Sequence, residues 1–177
     1  MKKRNFQNFL REHQNRVFSY ALYMLRRKED AEDVTQEVFV KVWRHWDNID
    51  ETKREAWIMR VAHNYCIDLL RKKTGNRKYW SSIDENEYQL NRNPETWHMP
   101  DTQFAQDDKQ QTLLSAISAL PDKTQSMMLL HYYQGYKFHE IGEIMELSLS
   151  AVKTALHRGR KQLGETLKKQ HPELAGV

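Results

Sequence analysis

Apolar residues recur along most of the chain at steps of three and four, the spacing that lays one stripe along a helix. Over residues 5–27 the stripe is Phe6, Phe9, Leu10, Val17, Phe18, Ala21, Leu22 and Leu25. Over 29–46 it is Ala31, Val34, Val38, Phe39, Val42, Trp43 and Trp46. Residues 47–53 break the rhythm. Thr52 followed by Glu55 then predicts a capping box opening a third helix over 53–73. That helix is expected to bury Ile58, Val61, Ala62, Tyr65 and Leu69, and to stop at Arg71-Lys72-Lys73 before Gly75.

Residues 76–107 carry Pro94, Pro100 and several Asn and Asp without a stripe. They read as a flexible linker. Tyr79, Trp80, Tyr88 and Trp97 are more aromatics than a free linker needs, so some are expected to dock on a partner or a neighbouring module. Periodicity resumes in a helix over 108–119. Pro121 is placed to start the next, over 121–134. After the turn Gln134-Gly135-Tyr136 comes a short amphipathic helix to Met145. Glu146-Leu147-Ser148 follows as a tight turn, and then a longer helix over 149–168, with Ser148 or Ser150 as its cap. A short helix, a three-residue turn and a longer helix are a helix-turn-helix. No alternating strand pattern persists, so the expected fold is all-α: two small helical domains, 1–75 and 108–177, joined by the linker.

Composition fits a charge-rich helical protein, with 39% hydrophobic and 29% charged residues. The distribution of charge adds more than its total of +4. Residues 1–78 hold 18 Lys and Arg against 11 Asp and Glu, 79–111 hold 2 against 7, and 112–177 hold 8 against 6. A basic block, an acidic middle and a mildly basic end agree with two modules and a linker. Cys66 is the single cysteine, so no intrachain disulfide and no cysteine-based zinc site can be built. The basic N-terminus lacks the apolar run of a signal peptide, and no stretch approaches a membrane span. The expected location is the cytoplasm.

Three surfaces carry candidate chemistry. The helix-turn-helix is held by Phe138, Ile141, Ile144, Leu147, Val152 and Leu156, which leaves Lys153, Thr154, His157, Arg158, Arg160 and Lys161 facing outward. Such a helix fits the major groove, where Arg, Lys and Thr meet base edges and further cations meet phosphates. The alternative, a solvated basic face, does not explain the short helix and tight turn in front. The 53–73 helix is also basic and carries Trp57, Arg60, Asn64, Asp68 and Arg71. Cations and aromatics together suit an unpaired strand, although taken alone the better reading is Trp57 and Tyr65 as core and Asn64 as a cap for a neighbour. On the second helix, Asp33, Gln36 and Glu37 beside Phe39 form a polar docking surface, or else acids that complement the helix dipole.

Taken together these stretches resemble the sigma factors of bacterial RNA polymerase. Asp30-Ala31-Glu32-Asp33-Val34-Thr35-Gln36-Glu37-Val38-Phe39 with Trp43 is similar to their polymerase-binding helix. Ala56-Trp57-Ile58-Met59-Arg60-Val61-Ala62-His63-Asn64 with Asp68 and Arg71 resembles their helix for promoter melting and minus-ten reading. Ala119-Leu120-Pro121, residues 135–146 and 152–160 resemble their minus-thirty-five helix-turn-helix. Having only these two modules is similar to the extracytoplasmic-function class.

The resemblance implies roles. Asp33, Gln36, Glu37 and Phe39 would bind core polymerase at the clamp coiled coil of its largest subunit, and the polymerase flap would be a further contact. Trp57, Arg60, Asn64, Asp68 and Arg71 would serve minus-ten DNA, with loop 47–53 and Asn64 capturing a flipped base. Lys153, Thr154, His157 and Arg158 would read minus-thirty-five DNA. It also implies an anti-sigma partner, expected to be anchored in the membrane, and neither cofactor nor catalytic activity. Two residues depart from the family pattern: Glu146, where a small turn residue is usual, and Gly142, where alanine is usual. The rival readings are a helix-turn-helix regulator with an unrelated N-terminal domain and a metal-dependent nuclease. The eight histidines are scattered, without a His-Glu-x-x-His cluster, which argues against the second.

Overall fold

The computed structural model describes residues 2–73 and 108–170. The linker 76–107 and its four aromatics lie outside the described residues. The first module is α1 (Lys2–Leu25), α2 (Lys28–His45), a single 3-10 turn over Glu51–Lys53, and α3 (Arg54–Lys73). The second is α4 (Asp108–Ser118), α5 (Asp122–Met128), a π-helical turn over Leu129–Tyr133, α6 (Phe138–Met145) and α7 (Leu149–Gln170). No strand occurs among the described residues.

The predicted stripes make the core. Val17, Tyr20, Ala21 and Met24 of α1 pack with Ala31, Val34, Val38 and Val42 of α2 and with Ile58, Met59, Ala62 and Cys66 of α3, all buried. In the second module the buried set includes Ile117, Leu120, Met128, Ile141, Ile144, Val152 and Leu156. Fully burying one such aliphatic side chain stabilises a fold by roughly 1.5–3 kcal/mol before entropy is counted. Cys66 is a core residue, and burial pushes its thiol well above the usual range.

Three local expectations need correction. The capping box from Thr52 and Glu55 does not form. Asp50 accepts instead from the Thr52 backbone N–H at 2.9 Å and from its hydroxyl at 2.6 Å, which opens the 3-10 turn ahead of α3. Glu55 is drawn away to Arg16 and to the Tyr136 hydroxyl. The helix expected over 121–134 widens at its end, where the Gln134 N–H donates to the Leu129 carbonyl at 2.9 Å and Tyr136 N–H to Leu130 at 2.9 Å. Gly135, at φ 79, turns the chain there. Tyr65 and Leu69 are half-buried, while His63, Met59 and Ile67 on the same helix are buried.

The two modules pack on each other. α1 meets α4, α5 and the π-turn, and α3 meets α6. The seam is rich in polar groups. The Tyr20 hydroxyl lies 2.7 Å from Ser126 Oγ, and both approach His63 Nδ1, at 3.1 and 3.0 Å. Gln125 donates to the Tyr23 carbonyl at 3.0 Å, and the Tyr136 hydroxyl donates to Glu55 at 3.0 Å. Arg26, held in a left-handed conformation at φ 59 between α1 and α2, donates to the Ser118 carbonyl.

Candidate functional site

On α2, Asp33, Gln36 and Glu37 stand together on an exposed face, as their three- and four-residue spacing requires. Neighbouring acids are committed within the chain: Asp30 to Lys73 and Arg27, and Glu32 to Lys28. Neither Asp33 nor Glu37 enters an ion pair among the described residues. Phe39 does not share this face. It is 6% exposed and packs its ring edge-on against Phe6, so the surface assignment of Phe39 is corrected to a core role. The exposed apolar residues of α2 are Val40, 43% accessible, and Trp43, 40% accessible. Trp43 rests on Phe6 with centroids 4.9 Å apart, and Lys2 lies over its ring.

Trp57, Arg60, Asn64, Asp68 and Arg71 follow one another along a single side of α3. Asn64 and Asp68 are exposed. Arg71 lies 3.6 Å from the Asp68 carboxylate, so this pair presents a cation and an anion together. Trp57, half-buried, faces His45 with centroids 5.9 Å apart. Lys53, Ala56, Trp57 and Arg60 of the first module and Glu143 of α6 line an open cleft of about 260 Å³. Arg60 spans the cleft. Its Nε donates 3.1 Å to the Glu143 carbonyl, and its Nη1 lies 3.2 Å from Glu146 Oε1. His63, the residue before Asn64, instead belongs to the buried seam.

The helix-turn-helix is fixed at its turn. Glu146 ends α6 in the left-handed region at φ 57, and the Leu147 N–H returns to the Gly142 carbonyl at 2.9 Å. A Cβ on Gly142 would stand 2.8 Å from the Leu147 carbonyl oxygen. The departure at Gly142 is thus explained by close backbone approach, and that at Glu146 by its pairing with Arg60. Ser148 caps α7, accepting from the Ala151 N–H at 3.2 Å. Val152 and Leu156 are buried, and a Cβ on Gly159 would meet Thr124 of α5 at 2.7 Å. With that side locked, Lys153, Thr154, His157, Arg158, Arg160 and Lys161 are all exposed on the other. Among the described residues no group of His, Cys, Asp and Glu is placed to hold a metal, and no helix is long and apolar enough to cross a membrane.

Three residues central to the seam, Tyr20, His63 and Ser126, escaped the sequence reading. Their signal was available: each is a polar side chain at a core register, Tyr20 between Val17 and Met24, His63 between Ala62 and Cys66, and Ser126 ahead of Met127-Met128.

Comparison with known proteins accords with this geometry. The sigma-70 region 2 family matches residues 9–76 and the sigma-70 region 4 family matches residues 110–163. The chain is 28% identical over 171 residues to the ECF RNA polymerase sigma factor SigE of Mycolicibacterium smegmatis, covering 97% of this chain and 65% of that protein. It is 27% identical to the ECF sigma factor SigW of Bacillus subtilis, covering 88% of this chain and 85% of SigW. To the sigma factor YlaC of Bacillus subtilis it is 28% identical, with 98% of each chain covered. Among solved structures, the sigma factor RpoE of Bartonella quintana, in complex with the anti-sigma factor NepR, aligns with a TM-score of 0.70 at 18% identity, over 93% of this chain and 97% of that one. CnrH, in complex with the cytosolic domain of CnrY, aligns at 0.68 and 21% identity, over 94% of this chain and 90% of that one.

A three-helix module followed by a helix-turn-helix module, each matching its own sigma region, is the two-part architecture of a promoter-specificity factor. The chain belongs to the sigma-70 family, in its extracytoplasmic-function (ECF) class. It binds RNA polymerase and directs promoter-specific initiation of transcription.

Proposed function

We propose that promoter work is divided between two surfaces of this chain. Residues 1–75 act as the polymerase-binding, minus-ten module, 76–107 as a linker, and 108–177 as the minus-thirty-five module. Asp33, Gln36 and Glu37 dock on the clamp coiled coil, with Val40 and Trp43 supplying apolar area where Phe39 cannot. Trp57, Arg60, Asn64, Asp68 and Arg71 receive the unpaired minus-ten strand. Lys153, Thr154, His157 and Arg158 read minus-thirty-five duplex. The observation that carries this reading is that each set lies along one side of one helix, while the opposite side of that helix is core.

The factor works in the cytoplasm as a binding subunit without chemistry of its own. It is restrained by an anti-sigma factor anchored in the membrane. The anti-sigma partners of RpoE and CnrH support that restraint.

The test compares two substitutions on two promoter templates. Losing one base-edge contact costs roughly 1–3 kcal/mol. Arg158→Ala should weaken binding to a duplex promoter and spare a template with a pre-melted bubble. Asn64→Ala should weaken capture of the bubble strand. Equal loss by both variants on both templates contradicts the division.

A further inference from the structure

Loop 47–53 is tied down at both ends and along its length. Lys2 of α1 pairs with Asp47. The Asn48 N–H donates to the His45 carbonyl at 2.9 Å, and the Lys53 N–H to the Asp50 carbonyl at 3.0 Å. The broadest tie is Arg54, the first residue of α3. Its guanidinium carbon lies 4.0 Å from the centre of the Trp46 ring. Nη2 approaches the Trp46 carbonyl at 3.5 Å, and Nη1 the Glu51 carboxylate at 3.3 Å. One side chain thus joins the residue before the loop to the turn that ends it. Trp46 is itself 4% exposed and set edge-on against Phe6 and Phe9 of α1, with centroids 5.4 and 5.3 Å apart.

For the helix alone, arginine is a costly residue at this place. The N-terminal end of a helix carries partial positive charge, so a cation in the first turn is disfavoured. The Arg54 side chain is 17% exposed, and its buried Nε–H finds no acceptor among the described residues. A buried donor without an acceptor costs free energy that an apolar side chain would not. The ion pair with Glu51 offsets little, because that carboxylate is 85% exposed. What a guanidinium supplies here is a flat cation that stacks on an indole and reaches two acceptors at once. Those contacts all end on the loop or on its leading residue.

We propose that Arg54 is a positioning residue: it holds loop 47–53 in its capturing shape before the strand arrives, so that the loop selects one unpaired base by a rigid fit. This rests on the reading of that loop as the place where a flipped minus-ten base is held. A loop ordered in advance loses little further freedom when the base enters. Its exposed polar side chains, Asn48, Asp50 and Thr52, then meet the strand at fixed positions. Arg54 acts through the loop and not on the base.

The experiment uses the full chain, alone and assembled with purified core polymerase. Arg54→Met fills similar space without a cation or donors. In the free variant the Asn48, Thr52 and Lys53 amides should exchange hydrogen faster than in wild type, by about twofold to thirtyfold, the range set by a cation–π contact. The assembled protein is then offered a DNA duplex ending in a short unpaired strand of random sequence, and the bound strands are sequenced. Wild type should enrich one base at one position. Arg54→Met should lose that enrichment by about fivefold or more, the worth of a base-edge contact, with other positions, total strand binding and Tm close to wild type. Arg54→Lys, the milder change, keeps the charge without the flat fork and should show its loss at the same position. Unchanged amide exchange overturns the proposal, and so does faster exchange with the enrichment intact. An even loss at every position also overturns it, because that reports general destabilisation. If wild type enriches no base at any unpaired position, the capture reading of the loop fails and the proposal falls with it.

Discussion

His63 shows how much one buried side chain can couple. Its ring is 8% exposed, and its Nδ1 meets Tyr20 from the first module and Ser126 from the second. Burial, reinforced by the charges of Lys123 and Arg71, lowers its pKa from 6.5 to about 4. A base depressed by folding is protonated first in the unfolded chain. Stability is therefore full above about pH 6.5 and falls as pH drops from 6.5 towards 4, by about 3 kcal/mol in all. Thermal melts across that window should show a falling Tm, and His63→Gln should flatten most of the fall. His13, also depressed by burial, leaves a smaller slope of the same sign. An undiminished fall in His63→Gln would place the acid sensitivity elsewhere.

At the scale of elements, helix existence and facing were legible because period 3.6 is written into α1, α2, α3 and α7. The helix-turn-helix was legible for the same reason, with Ser148 as its cap. Less legible were features decided by distant partners. Glu55 left its expected cap because Arg16 and Tyr136 compete for it. Phe39 kept the inward place its stripe gave it, against Phe6 of α1, and so could not also serve the docking face. The need for Gly142 came from a carbonyl five residues away, which pattern alone does not place. The α2 face yields its own prediction. Asp33→Ala or Gln36→Ala should weaken core-polymerase binding by roughly 1–2 kcal/mol, as truncation at an interface centre does, with circular dichroism unchanged. Unaltered affinity in a binding titration would remove these residues from the docking surface.

For the whole molecule, the two modules meet through a polar seam and present different faces outward. α2 offers acids and Trp43, α7 offers cations, and the α3 cleft is crossed by Arg60. Together these faces suit a factor that brings RNA polymerase to a particular place on DNA. The most direct measurement is genome-wide run-off transcription with purified core polymerase, with and without this chain, mapping transcript starts. New starts that appear only with the chain and share paired minus-thirty-five and minus-ten motifs are the predicted result. Duplex binding by the chain alone, with no new starts when core is added, would contradict the account.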